Sequence, residues 1–198
     1  MNLYEALAMH VAEWRQDKYK DEKFSAISEI LEWAQNPDVS AFRLRAPQFR
    51  ALETYWYLRL IEGTPKIPEL YNRVLPKPKD RINALGISDA AFAEANYDFE
   101  TLFEKIAKDD IFVKQFRLEA LRETLALDYP SYILALAMGA GKTVLIGAIF
   151  ASEFAMAQEY PNQKFVENAL VFAPGKTIIE SLRELAEMHF EAVLPPRF

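Results

Sequence analysis

Gly139-Ala-Gly-Lys-Thr143 is the stretch whose residue types and order could do chemistry, and that chemistry is the holding of phosphate. Glycines at 139 and 141 let the backbone curl so that successive N–H groups face inward at anionic oxygens, in conformations a side chain would hinder. Lys142 places a compact positive charge against the outer phosphates, and Thr143 offers a hydroxyl to Mg²⁺. A helix starting here adds the positive end of its dipole. The strict pattern Gly-x-x-x-x-Gly-Lys-[Ser/Thr] asks for glycine at position 136, and this chain has Leu136 there. That departure makes the pattern less specific but leaves the three features in agreement.

Such a loop needs elements on both sides to hold it. The apolar run Tyr132–Met138 has the length of a strand, and the apolar residues after Thr143 predict a helix from 142 to about 158, apolar on nearly all sides until Glu153. Asn168-Ala-Leu-Val-Phe-Ala-Pro174 reads as a second buried strand. Thr177 to His189 reads as an amphipathic helix with Ile178, Leu182, Leu185 and His189 on one side. The order strand, helix, strand, helix predicts parallel pairing with a right-handed crossover, hence an α/β fold.

Upstream, the pattern is helical. Apolar residues recur at helical spacing over 2–17 and 21–35, until Asn36-Pro37-Asp38 breaks the rhythm. Pro47 suits the first turn of a helix running to a stop at Gly63, and it leaves Gln48 near the helix start. An amide there both donates and accepts, which is what reading a flat ring requires. Prolines at 65, 68, 76 and 78 mark a linker near 64–79 with one short helix over 69–75. Ser88 and Asp98 are placed to cap helices over 89–95 and 99–107, and a further helix is expected over about 110–127. The organisation expected is a mostly helical region, 1–108, followed by the first part of a nucleotide-binding domain, 109–198.

Composition narrows the classes. An apolar content of 51% with 26% charged residues is ordinary for a globular chain able to bury a core. With no cysteine there is no disulfide and no thiolate metal site, and the two histidines, His10 and His189, are far apart in sequence. No secretory leader or membrane span is apparent, and a cytoplasmic location is the expectation. The net charge of −6 argues against a surface coated for nucleic acid. Between Phe42 and Arg81, however, nine Arg or Lys face four Asp or Glu, a local excess that could meet phosphates.

Ala137-Met-Gly-Ala-Gly-Lys-Thr143 and Leu170-Val-Phe-Ala-Pro-Gly-Lys-Thr-Ile-Ile-Glu-Ser-Leu182 together resemble the start of the first RecA-like domain of a superfamily-two DEAD/DEAH-box helicase. They are most similar to the branch of type III restriction enzyme helicase subunits, in which the first glycine of the strict pattern is commonly absent. The resemblance implies ATP with Mg²⁺. Gly139, Ala140 and Gly141 would form the cradle, Lys142 would neutralise charge on the β and γ phosphates in a catalytic role, and Thr143 would be the metal ligand. It implies that Gly175, Lys176 and Thr177 touch the backbone of a single nucleic-acid strand, DNA or RNA. Leu44-Arg-Ala-Pro-Gln48 and Ala51-Leu-Glu53 resemble the upstream element in which a glutamine recognises adenine. A rival placement is Gln115-Phe-Arg-Leu-Glu-Ala-Leu121, closer to the loop. The choice of Gln48 requires residues 64–109 to be an insertion that leaves and returns.

The family's acidic second motif, Asp-Glu-x-Asp or Asp-Glu-x-His, does not follow residue 143, and Asp109-Asp110 lies upstream, where it reads as a helix cap. The expectation is therefore the N-terminal piece of an ATP-dependent helicase or translocase, with an incomplete sheet. Such a piece would bind ATP weakly and hydrolyse none, and a nuclease or modification subunit of a restriction or phage-defence system would be its partner. Two alternatives stand beside it: a helical partner- or DNA-binding module attached to a phosphate loop, and another P-loop NTPase.

Overall fold

The computed structural model describes residues 1–36, 44–172, 180, 183, 185 and 190–198. Its helices are α1 (Leu3–Gln16), α2 (Ala26–Gln35), α3 (Ala46–Trp56), α4 (Ile67–Val74), α5 (Pro78–Leu85), α6 (Asp89–Glu94), α7 (Phe99–Lys108), α8 (Asp110–Phe116), α9 (Glu119–Leu125) and α10 (Lys142–Glu159). One wider π-helical turn, Tyr57–Ile61, prolongs α3, and a short 3₁₀ turn lies at Phe190–Ala192. The chain divides into two compact units. Unit 1 comprises Met1–His10 with Glu62–Ile133, and unit 2 comprises Val11–Ile61 with Leu134–Phe198.

The α/β fold expected from the sequence is not what forms. Among the described residues there is no strand and no sheet, and the architecture is helical throughout. Residues 131–137 form no regular structure, and neither do 168–172; residues 173 and 174 of the second expected strand fall outside the described residues. An apolar run becomes a strand only when a neighbour takes up its N–H and C=O groups. No described segment does so. The side chains show the consequence: Ile133 is 90% exposed, Met138 97%, Leu170 79% and Phe172 85%.

Unit 1 has a hydrocarbon core. Leu102 and Ile106 of α7 lie beneath Ala91 and Phe92 of α6, Phe112 and Val113 of α8 and Leu125 of α9. Three of its helices, α6, α7 and α8, start on side-chain caps. The Ser88 hydroxyl accepts from the Ala91 N–H at 3.2 Å, and the Asp98 carboxylate accepts from the Thr101 N–H at 2.7 Å. Asp109 accepts from the N–H groups of Ile111 and Phe112, which gives it the capping role read for Asp109-Asp110. The helix expected over 110–127 is two helices. Arg117 adopts a left-handed conformation, φ +56°, and ends α8 before α9 begins.

Unit 2 is built on α3 packed against α10, with α2 beside both. A helical stripe of small residues on α10, Gly147, Ala148, Ala151, Ser152 and Ala155, is buried and admits the large side chains of α3. Phe49, Leu52 and Trp56 supply these at helical spacing. Trp56 is fully buried, and its indole N–H donates to the Ser152 hydroxyl at 3.0 Å. The contacts Gln48 to Gly141, Trp56 to Ser152 and Arg59 to Glu153 advance together along both helices, so α3 and α10 run in the same direction. No helix among the described residues is long and apolar enough to cross a membrane.

Candidate functional site

Residues 139–143 lie at the start of α10. Gly139 and Gly141 both take left-handed conformations, φ +74° and +78°, the use for which glycine was read at these positions. The Ala140 N–H closes a tight turn on the Ala137 carbonyl at 3.2 Å, and Gly141 is the residue that precedes the helix. No side chain caps α10, so the N–H groups of its first turn, beginning with Lys142 and Thr143, are left for another acceptor. Lys142 is exposed and Thr143 half-buried.

Gln48 belongs to this site. The chain leaves unit 2 after Ile61 and re-enters it at Leu134, which brings the start of α3 and residues 139–143 into one unit despite the sequence between them. The Gln48 side chain is 3% exposed; its Nε2 donates to the Gly141 carbonyl at 2.9 Å and its Oε1 accepts from the Arg45 N–H at 2.6 Å. Arg45, to which no sequence motif gives a role, donates from its guanidinium to the Gly139 carbonyl at 3.0 Å. A Cβ on Gly141 would lie 2.3 Å from Gln48 Nε2, whereas one on Gly139 would meet nothing within 4 Å. Gln115, the rival adenine reader, lies in unit 1, where it donates to Glu94 at 3.1 Å. Gly175, Lys176 and Thr177 fall outside the described residues.

Two buried carboxylates brace the helices behind the site. Glu53 of α3 takes two hydrogen bonds from Arg15, at 2.5 and 2.6 Å, and one from the Tyr19 hydroxyl at 2.6 Å. Glu153 of α10 accepts from the Tyr55 hydroxyl at 2.5 Å, from Arg59 Nε at 2.8 Å and from the Val166 N–H at 2.9 Å. Burial, reinforced by these carboxylates, pushes both tyrosines well above the ordinary phenol range, so they stay neutral donors. The hydrogen bond to Glu53 likewise holds Arg15 above its usual value. The clue to Glu153 was present in the sequence as one acid ending an apolar helix face; its partners Tyr55 and Arg59 were not deducible.

The basic stretch 42–81 does not behave as a free patch. It is divided between the two units, and Arg43 falls outside the described residues. Arg45 is held by Gly139, Arg59 by Glu153 and Arg73 by the Glu62 carbonyl at 2.5 Å. Arg81 lies over the Phe99 ring at 4.0 Å. Arg50, Lys77 and Lys79 remain exposed.

The residues at the loop suit a polyphosphate. They offer open N–H groups, a helix dipole and one ammonium group, with no carboxylate paired to Lys142 among the described residues. Thr143 could supply one oxygen to Mg²⁺, an ion that keeps most of its ligands as water and phosphate oxygens. Among the described residues no three His, Asp or Glu gather as a ready-made metal site. No family model matches the chain, and neither a curated protein nor a solved structure matches it.

Proposed function

We propose that residues 139–143 hold the polyphosphate of a nucleoside triphosphate, ATP with Mg²⁺ being the natural ligand, and that the chain is the nucleotide-binding entry of an ATP-dependent nucleic-acid helicase or translocase. One observation carries the reading: a Gly-x-Gly-Lys-Thr turn with both glycines left-handed opens directly into an uncapped helix of 18 residues. In this role Lys142 neutralises the outer phosphates, the first-turn N–H groups orient them, and Thr143 faces the metal. A single strand of DNA or RNA is the second ligand, a cytoplasmic setting is assumed, and no hydrolysis is expected of this chain by itself. The helicase part rests on the two sequence motifs and not on a sheet.

The test is calorimetric titration of the chain and of Lys142→Ala with ATP and Mg²⁺. Binding by the parent with at least tenfold weakening in Lys142→Ala is expected, since a charge-assisted contact is worth about 1.5–3 kcal/mol. Equal affinity in the two proteins removes the role given to Lys142. The translocase part predicts that ATP changes the affinity for a single-stranded oligonucleotide at fixed salt, and an affinity indifferent to ATP counts against it.

A further inference from the structure

We infer that Gln48 and Arg45 are positioning residues that hold the loop in its anion-binding form, and that the site they prepare takes the triphosphate tail whichever base it carries. This rests on the polyphosphate reading above. In a trans peptide the C=O and the N–H of the next residue point in opposite directions. Gln48 draws the Gly141 carbonyl toward α3, so the Lys142 N–H of the same peptide faces away from α3, into the open first turn of α10. Arg45 draws the Gly139 carbonyl in the same manner, and the Ala140 N–H behind it closes the turn on Ala137. Two oxygens that would repel phosphate are thereby turned outward, and a donor is left for it.

Base reading is the competing use of Gln48, and the geometry disfavours it. Both ends of the amide are already engaged, by the Gly141 carbonyl and the Arg45 N–H, and the side chain is 3% exposed. The second N–H and lone pair of the amide remain, but they lie within the packed side chain instead of presenting an edge to a flat ring. The absence of a Cβ at Gly141 is what lets Gln48 come so close.

The experiment titrates the full chain with ATP, GTP and inorganic triphosphate, each with Mg²⁺, alongside Gln48→Ala, Gln48→Glu and Arg45→Ala. The parent is expected to bind all three ligands within about threefold of one another, since the shared phosphate contacts dominate. Gln48→Ala and Gln48→Glu, which both lose the donor to Gly141, should weaken all three by a common factor of about ten. Arg45→Ala should do so by about three, as each loses one hydrogen bond that preorganises the loop. Melting of the unliganded variants is followed in parallel. If Gln48→Ala does not fold, Arg45→Ala carries the comparison, because that side chain is exposed. Loss of ATP binding alone, with GTP and triphosphate unchanged, would mean that Gln48 reads adenine and would overturn the inference. Unchanged affinity for all three in every folded variant would overturn it too, while leaving the polyphosphate reading intact. A parent that binds none of the three ends both.

Discussion

The core of unit 1 is closed by hydrocarbon, whereas that of unit 2 closes around polar groups. All four buried polar side chains among the described residues, Gln48, Glu53, Ser152 and Glu153, belong to unit 2. In unit 1 no charged side chain among the described residues is fully buried: the Lys108–Glu104 pair lies on an exposed face of α7, and Arg81 and Arg122 are only half-buried. The difference is one of specificity. Hydrocarbon contacts tolerate repacking, but a buried carboxylate fixes where its partners must lie, because leaving it unpaired is costly. Glu153 ties α10 to Tyr55, Arg59 and Val166, and so sets the register of α3 against α10 on which the meeting of Gln48 with Gly141 depends. Unit 2 is therefore organised to place side chains, and unit 1 to remain folded.

The sharpest way to break this comparison is Glu153→Ala. It strands the Tyr55 hydroxyl and the Arg59 guanidinium, and removal of one partner from a buried pair costs about 3–5 kcal/mol, here near the lower end because Arg59 is 23% exposed. Urea denaturation measures the loss, and hydrogen exchange should show it concentrated in 46–61 and 142–159. In unit 1, Glu104→Ala should leave the denaturation midpoint where it was. A matching loss there would erase the distinction between the units.

Leu102→Ala probes the hydrocarbon core. Leu102 is fully buried, and the cavity left should cost about 2–4 kcal/mol in the same denaturation experiment. Refilling with Met should recover most of it, whereas no volume-matched apolar residue should restore Glu153→Ala to its parent's loop geometry. Ser88→Ala removes the cap of α6 and should cost about 1 kcal/mol. A loss below a few tenths would show that solvent replaces the hydroxyl.

The smallest effect comes from Tyr132, and the part of it that changes with pH lies wholly above pH 10. Its hydroxyl donates to the Pro65 carbonyl, and burial, with the charges of Glu62 and Glu69, pushes it up to about 12. The folded state thus keeps a proton that the unfolded chain releases near 10. The stability it contributes is complete below pH 10 and disappears as pH rises from 10 through 12. Tyr132→Phe should flatten that alkaline decline, and a tyrosinate absorbance titration should lose one late-titrating group. Tyr19 and Tyr55 of unit 2 should titrate later still.

Much of the helical content could be read from residues alone. Ser88 and Asp98 mark helix starts because a short side-chain oxygen meets an otherwise orphan N–H, a relation spanning three residues. Glycine at 139 and 141 announced left-handed backbone for a similarly local reason. The strands failed because the same apolar run serves a strand or an unpaired segment, and the difference lies in a neighbour that sequence periodicity does not contain. Arg117, as a non-glycine stop between α8 and α9, carried no advance signal.

By itself, the sequence determined the local conformational choices: the caps, the glycine turn, the helical faces of α3 and α10 and the presence of a lysine and a threonine behind that turn. Only the tertiary structure decided which distant groups meet. The return of the chain to unit 2 at Leu134 puts Gln48 and Arg45 on the carbonyls of Gly141 and Gly139, and it puts Tyr55 and Arg59 on Glu153. Local signals arise from bonds across three or four residues. The pairings behind the site span more than 90 residues and follow from how the small-residue face of α10 accepts the large side chains of α3.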